Sequence, residues 1–347
     1  MKKHAFLQWM AENTETKWCN DSAIIREIEA ALRSGAVGCT SNPPLSYLSL
    51  VEDPEIFSEE VAKIPREAKG DARALALIGV VVRHIAGMLQ DLHARSGGQA
   101  GHIRCQVQPS LSGDARAMLE MGKTIASWAP NIMVKIPGTA AGFWVLEELA
   151  AMGIPTTPTV NVTVSQLVAA AESYERGIRR AKAAGITPAP STAACVMGRL
   201  QDFLSKLNAD RGTGLSEQDL DEAALAMTKR CIRIFKERGY ATMLMPAAFR
   251  SARQVAQMAG SATMMTVHPK LQDEVIAADA AGLLERRKTI DDPADEEALD
   301  RVARALPEFT LAYAPDALKG EECDRYGGTV MTLEGFDVTG WQKLKTL

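Results

Sequence analysis

Lys135 stands in the run NIMVKIPGT (131–139), among apolar and β-branched neighbours. Alternation along a strand sets Met133 and Lys135 on one face and Ile132, Val134 and Ile136 on the other. The branched aliphatic face is expected to meet helices. The lysine is then expected to point inward, near the carboxyl end of its strand, which Pro137-Gly138 marks. Burial disfavours the charged form of an amine, so such a lysine gives up its proton readily. A neutral amine attacks a ketone carbonyl. The resulting protonated imine draws electrons from the adjacent carbon, and a C–C bond next to it breaks or forms. The chemistry suggested is that of a Schiff base.

Other polar residues sit at the ends of similar runs. Trp18 and Asn20 share a face, as do Thr40 and Asn42, Arg104 and Gln106, and Thr157 and Thr159; Arg199 and Arg250 follow two later runs. Gln106 and Thr159 are expected to hold the water that moves protons. Arg199 and Arg250 are expected to clamp a phosphate through bidentate hydrogen bonds. Each residue also has a plainer reading. A lysine at a strand end can snorkel to water, and arginines after strands are mostly surface residues. Asn42 before Pro43-Pro44 suits a turn. Thr157 and Thr159 suit strands on propensity alone, Gln106 can fill a polar layer, and Cys195 reads as a small core residue.

The elements that must position these groups form a repeating pattern. Eight short runs read as strands: KWCN (17–20), AVGCT (36–40), HIRCQV (102–107), NIMVKI (131–136), IPTTPT (154–159), TAACVM (192–197), ATMLMP (241–246) and ATMMTV (262–267). Helical spacing marks 22–34, 54–95, 114–128, 141–152, 164–184, 216–238 and 250–260. Alternation of strand and helix predicts a parallel sheet, and eight units favour a closed (β/α)8 TIM barrel over an open sheet. Neither GxGxxG nor a phosphate-binding P-loop is present in the sequence. The chain is expected to be one domain over 1–347, with the barrel core at about 16–275 and a helical extension over 276–347. Within that extension, the segment after 284 reads as a charged linker and a solvated helix, and the end as a packing helix.

Composition narrows the partners. The 347 residues are 46% hydrophobic and 24% charged, with net charge -4 and pI near 5.9, which gives no reason to expect nucleic acid. Six cysteines without CxxC spacing predict reduced thiols in a cytoplasmic protein. His4, His84, His93, His102 and His268 show no HxxxH or HxH pattern, so no metal site is expected. The basic start MKKHAFLQWM carries too short an apolar stretch for a signal peptide. No run of about 18 apolar residues occurs, so no membrane span is expected.

The segment VKIPGTAAGFWVLEELAAMGIPTTPT (134–159) resembles the transaldolase family, in which a lysine within V-K-[IV]-P-x-T forms the Schiff base. TSNPP (40–44), CVMGRLQDF (195–203) and LMPAAFRSARQVAQMAGSATMMTVHPKL (244–271) are similar to further motifs of that family, in the same order over about 16–275. The resemblance implies a (β/α)8 barrel that transfers a dihydroxyacetone unit between phosphorylated sugars, with no metal or organic cofactor. It assigns Lys135 to the Schiff base, Thr159 to the catalytic water, Asn42 to substrate hydroxyls, and Arg199 and Arg250 to the phosphate.

Several positions differ from the family pattern. Asn20 stands where the family has an aspartate, with Asp21 beside it on the opposite face. Gln106 replaces an acid/base glutamate. Val196 stands where the fructose-6-phosphate aldolase branch has a tyrosine, Ala194 and Ala248 replace two serines, and Thr157 replaces an asparagine. An amide cannot take a proton from a hydroxyl. Asp21 after a one-residue slip, a residue of the tail, or water on Thr159 are the candidates for that task. The expected partner is a small sugar phosphate, and a homo-oligomer stays open. The alternatives are an aldolase that releases or adds dihydroxyacetone without transfer, and a sugar-phosphate-binding barrel without catalysis.

Overall fold

The computed structural model describes residues 5–347. His4 and the three residues before it in the basic start lie outside the described residues. All eight expected strands form: β1 Lys17–Asn20, β2 Gly38–Thr40, β3 His102–Gln106, β4 Ile132–Pro137, β5 Thr156–Thr159, β6 Thr192–Val196, β7 Met243–Ala247 and β8 Met264–Val267. Parallel ladders join six of them in the order β5-β4-β3-β2-β1-β8, and a second ladder joins β6 to β7. Bridges at Thr156–Ser191 and Asn161–Cys195 link β5 to β6. β7 lies beside β8, which closes a (β/α)8 barrel.

Side-chain alternation divides the chain between two layers. Cys19, Ala194, Met245 and Met264 meet inside the barrel. The opposite strand faces, such as Ile132, Val134 and Ile136, pack on the surrounding helices. The register sets Gln106 beside Lys135 and Lys135 beside Thr157, so three polar groups from neighbouring strands share one level of the interior.

Side-chain caps fix where the helices begin after the strands. Leu45 N donates to Asn42 Oδ1 at 2.9 Å, Gly142 N to Thr139 Oγ1 at 3.1 Å, Gln166 N to Thr163 Oγ1 at 3.1 Å and Gln254 N to Ser251 Oγ at 3.1 Å. Each such cap contributes about 1 kcal/mol. The turn expected at Asn42 is therefore the start of helix Pro43–Glu52. Helix Met197–Arg211 also goes beyond the sequence reading. Leu200, Phe203, Leu204 and Leu207 carry helical spacing there, but no side-chain cap announces its start. Helix Asp71–Arg95 is long and apolar enough to cross a membrane by length and composition; more than half of its apolar window is buried within the fold, as in a core helix.

The C-terminal part is more integrated than a solvated helix. Helix Glu296–Ala305 buries Ala298, Leu299 and Val302. The last segment crosses the mouth of the barrel. Ala140 N, just past β4, donates to Asp324 Oδ1 at 2.8 Å, and Gln166 Nε2 donates to Thr329 Oγ1 at 3.0 Å. Phe336 lies under the Arg199 guanidinium, 5.6 Å from ring centroid to Cζ. Trp341 is fully buried, and its Nε1 donates to Asp71 Oδ1 at 2.9 Å. The tail is thus pinned at both ends over the carboxyl ends of the strands, where barrel active sites lie.

Candidate active site

Lys135 points into the barrel and is 7% exposed. Its Nζ donates to the Ser41 carbonyl, just past β2, at 3.0 Å. Burial pushes its pKa down from 10.5 to about 8; Asp21 pulls it back up and Arg104 pushes it further down. At neutral pH a usable fraction of the amine is therefore free. Cys105 and Cys39 lie near enough to act on it, but burial raises both thiols, Cys105 to about 12, so they stay protonated.

The first strand corrects the expected facing. Asn20 points outward: its Oδ1 accepts from Gln272 Nε2 at 2.8 Å, on helix Pro269–Ala280, and its Nδ2 donates to the Ser22 carbonyl at 3.3 Å. Trp18 shares that face and packs in the helix layer. Cys19 and Asp21 take the inward face. Thr40 Oγ1 donates to Asp21 Oδ1 at 2.6 Å and lies 2.7 Å from Thr266 Oγ1. The carboxylate thus stands in the interior without any slip in register. Trp18 packs among the helices, whereas Cys19 joins Met245 and Met264 in the interior.

Gln106 and Thr159 are both buried on inward faces. Among the described residues, neither the Gln106 amide nor the Thr159 hydroxyl has a hydrogen-bond partner. Unpaired buried polar atoms are costly, and these flank Lys135 where a polar substrate or water would satisfy them. Thr157 is engaged with Thr192, with 3.1 Å between hydroxyl oxygens. Asn42 spends its Oδ1 on the helix cap.

Arg199 and Arg250 come together at the mouth, after β6 and β7. Both pair with Asp202: Arg250 Nε and Nη2 donate to its two oxygens at 2.8 and 2.5 Å, and Arg199 Nη1 lies 3.5 Å from Oδ2. Sequence reading missed Asp202, although it stands one helical turn after Arg199. Gly198 permits the approach: a Cβ there would lie 1.8 Å from the Ala248 carbonyl and 2.8 Å from the Arg250 guanidinium. Burial and the neighbouring Arg250 lower the Arg199 pKa, while Asp202 and Asp21 act to raise it. Val160 and Ala248, next to Thr159 and Phe249, both hold φ +59°, a left-handed conformation costing about 1–2 kcal/mol outside glycine. Strain of this kind concentrates at functional sites.

Among the described residues, no cluster of three or more His, Cys, Asp or Glu side chains is arranged to hold a metal ion. The arrangement suits a different chemistry: an enclosed amine with a lowered pKa, a nearby carboxylate, polar groups unpaired among the described residues and two cations at the entrance.

The family model described as transaldolase/fructose-6-phosphate aldolase matches residues 18–321. A transaldolase of Thiobacillus denitrificans is 28% identical over 250 residues, covering 71% of this chain and 68% of that protein. Transaldolase 1 of Streptomyces avermitilis is 28% identical over 207 residues, 58% of this chain and 54% of its own length, so the chain spans about half of that relative. A transaldolase of Chlamydia pneumoniae is 26% identical over 308 residues, covering 85% and 84%.

Proposed function

Because the chain belongs to the transaldolase/fructose-6-phosphate aldolase family, we propose that it transfers a dihydroxyacetone unit between phosphorylated sugars through an imine on Lys135. The observation that carries this reading is the buried Lys135 amine, its pKa lowered to about 8, beside the unpaired Gln106 amide and Thr159 hydroxyl.

Neutral Nζ adds to C2 of a ketose phosphate, and loss of water gives the protonated imine. A base removes the C4 hydroxyl proton, the C3–C4 bond breaks, and its electron pair moves into the imine system as an enamine. The shortened aldose leaves. The enamine carbon then attacks an acceptor aldehyde, whose oxygen takes back a proton, and water releases the new ketose from the lysine. Asp21 handles those protons, through water or directly; its hydrogen bond from Thr40 supports this role. Thr159 and Gln106 hold the water. Asn42, Thr40 and Thr157 meet sugar hydroxyls. Arg199 and Arg250 take the phosphate, which competes with or joins Asp202 between them.

A second reading, release of free dihydroxyacetone, is favoured by Gln106, which offers an amide and no carboxyl group. One assay separates the two. The protein is incubated with fructose 6-phosphate, with and without erythrose 4-phosphate, and the products are identified. A transferred seven-carbon ketose that appears only with acceptor supports the proposal. Dihydroxyacetone formed equally without acceptor selects the lyase. No turnover of any ketose phosphate overturns both.

A further inference from the structure

Arg104 raises a question that the proposed chemistry leaves open. It lies on the inward face of β3, two residues before Gln106, and is 1% exposed. A buried guanidinium is expected to meet a carboxylate. Among the described residues this one meets none: Nε donates to Thr192 Oγ1 at 3.1 Å, Nη1 to Cys19 Sγ at 3.5 Å and Nη2 to Met264 Sδ at 3.1 Å. One hydroxyl and two sulfurs are weak acceptors for five N–H groups, so the positive charge is not neutralised where it sits. Gly38 lies against it on β2, and a Cβ there would stand 2.8 Å from the His102 carbonyl of β3.

We propose that Arg104 is a positioning residue whose field across the barrel offsets that of Asp21 and so, on top of burial, eases loss of the Lys135 proton. The site needs a carboxylate to move protons, yet that carboxylate favours the ammonium form of Lys135. A fixed cation on the same interior offsets it. The charged and titratable groups that bear on Lys135 are Asp21 from the β1 end, Arg104 and Cys105 from β3, and Cys39 from β2. Both thiols stay protonated, so Asp21 and Arg104 are the charges that oppose each other. The Arg104 backbone stands one strand repeat below the level of Gln106 and Lys135, roughly 8 Å from that of Lys135 once the strand spacing is included, and its guanidinium reaches across the interior to Thr192, Cys19 and Met264. At an effective dielectric of about 20, a unit charge at that range moves a titration midpoint by on the order of one pH unit. The Arg104 backbone serves Lys135 separately: its carbonyl accepts from Ser41 N and Oγ, both at 2.9 Å, and Ser41 in turn presents the carbonyl to Nζ. Side-chain substitutions leave that link in place.

The inference rests on Lys135 as the nucleophile, and its test keeps the two ideas apart. Dihydroxyacetone is trapped with cyanoborohydride from pH 6 to 10. The amine adds to the ketone, water leaves, and hydride from the reagent with a proton from water reduces the imine to a secondary amine. The initial rate of adduct formation on Lys135 is followed by peptide mass spectrometry. Wild type is expected to show a midpoint near 8. Arg104→Met, which extends the sulfur-lined interior, is expected to raise the midpoint by on the order of one unit, slow trapping about tenfold at pH 7 and regain the wild-type rate at high pH. Arg104→Lys is expected to keep the wild-type midpoint. Both variants lose hydrogen bonds and melt lower, so a merely structural role would scale the rate at all pH values without moving the midpoint. That outcome, with adduct still on Lys135, overturns the Arg104 proposal alone. Absence of adduct in wild type at every pH overturns the nucleophile as well. If Arg104→Met does not fold, Arg104→Gln takes its place: a raised midpoint supports the proposal, and an unmoved one overturns it.

Discussion

Replacing Lys135 by methionine should make the protein more stable at neutral pH while abolishing its chemistry. The magnitude follows from burial. A fall in pKa from 10.5 to about 8 on folding means that the buried ammonium opposes folding by about 3 kcal/mol. For a base whose folded pKa is the lower one, this penalty is complete below about pH 8. It shrinks as the pH rises and disappears near 10.5, where the amine is neutral in both states. Methionine removes the penalty, but it leaves the Ser41 carbonyl without its 3.0 Å donor, which costs about 1 kcal/mol. The net gain at pH 7 is therefore about 2 kcal/mol. Between pH 7 and 10 that advantage should fall by about 2 kcal/mol, and this difference does not depend on how well methionine packs. Urea unfolding of both proteins at pH 7, 8, 9 and 10 measures it, because every other titrating group is shared and cancels. Equal stabilities at pH 7, or a gap that does not change with pH, would refute the claim that Lys135 is an enclosed amine with a lowered pKa.

The first strand offers a sharp contrast. Asp21→Asn should lower kcat by about 10²–10⁴ with little change in melting temperature; Asn20→Ala should keep kcat and lose about 1 kcal/mol through its bond to Gln272. Steady-state kinetics and melting curves on the pair decide which residue faces the substrate, and the reverse pattern would assign the site to Asn20. Arg250→Ala should raise KM for a phosphorylated donor tenfold or more, the worth of about 1.5–3 kcal/mol in charged hydrogen bonds, and leave KM for dihydroxyacetone nearly unchanged; equal effects on both would remove the phosphate role. Gly198→Ala should act in the same direction without removing a charge, since its methyl would push apart the segments that carry Arg199 and Arg250. In the tail, Trp341→Ala should destabilise by about 3–5 kcal/mol, read by urea unfolding, as expected for a fully buried ring.

Much of the fold was legible because strands and helices alternate with clear periods. All eight strands were marked by short apolar runs, and Lys135 declared its facing by standing opposite Ile132, Val134 and Ile136. Arg199 and Arg250 were legible as a pair because each follows a strand directly. Asn20 was misread because four residues of alternating side chains do not say which face is inside; that is settled by the packing of Trp18 among the helices. Helix Met197–Arg211 was missed because its start at Val196 carries no capping side chain. The crossing of the mouth by the tail could not be read locally. It depends on contacts between Asp324, Thr329 and Trp341 and partners far away in sequence. The charge on Arg104 was visible, but its lack of a carboxylate partner among the described residues appears only when all eight strands are assembled around it.

The most direct test of Lys135 as nucleophile is reductive trapping with fructose 6-phosphate, followed by peptide mapping. Borohydride added during turnover should fix a three-carbon dihydroxyacetone adduct on the peptide that contains Lys135, at about one per chain, with loss of activity in proportion. An adduct on a different lysine, or full activity after borohydride with no adduct, would contradict it.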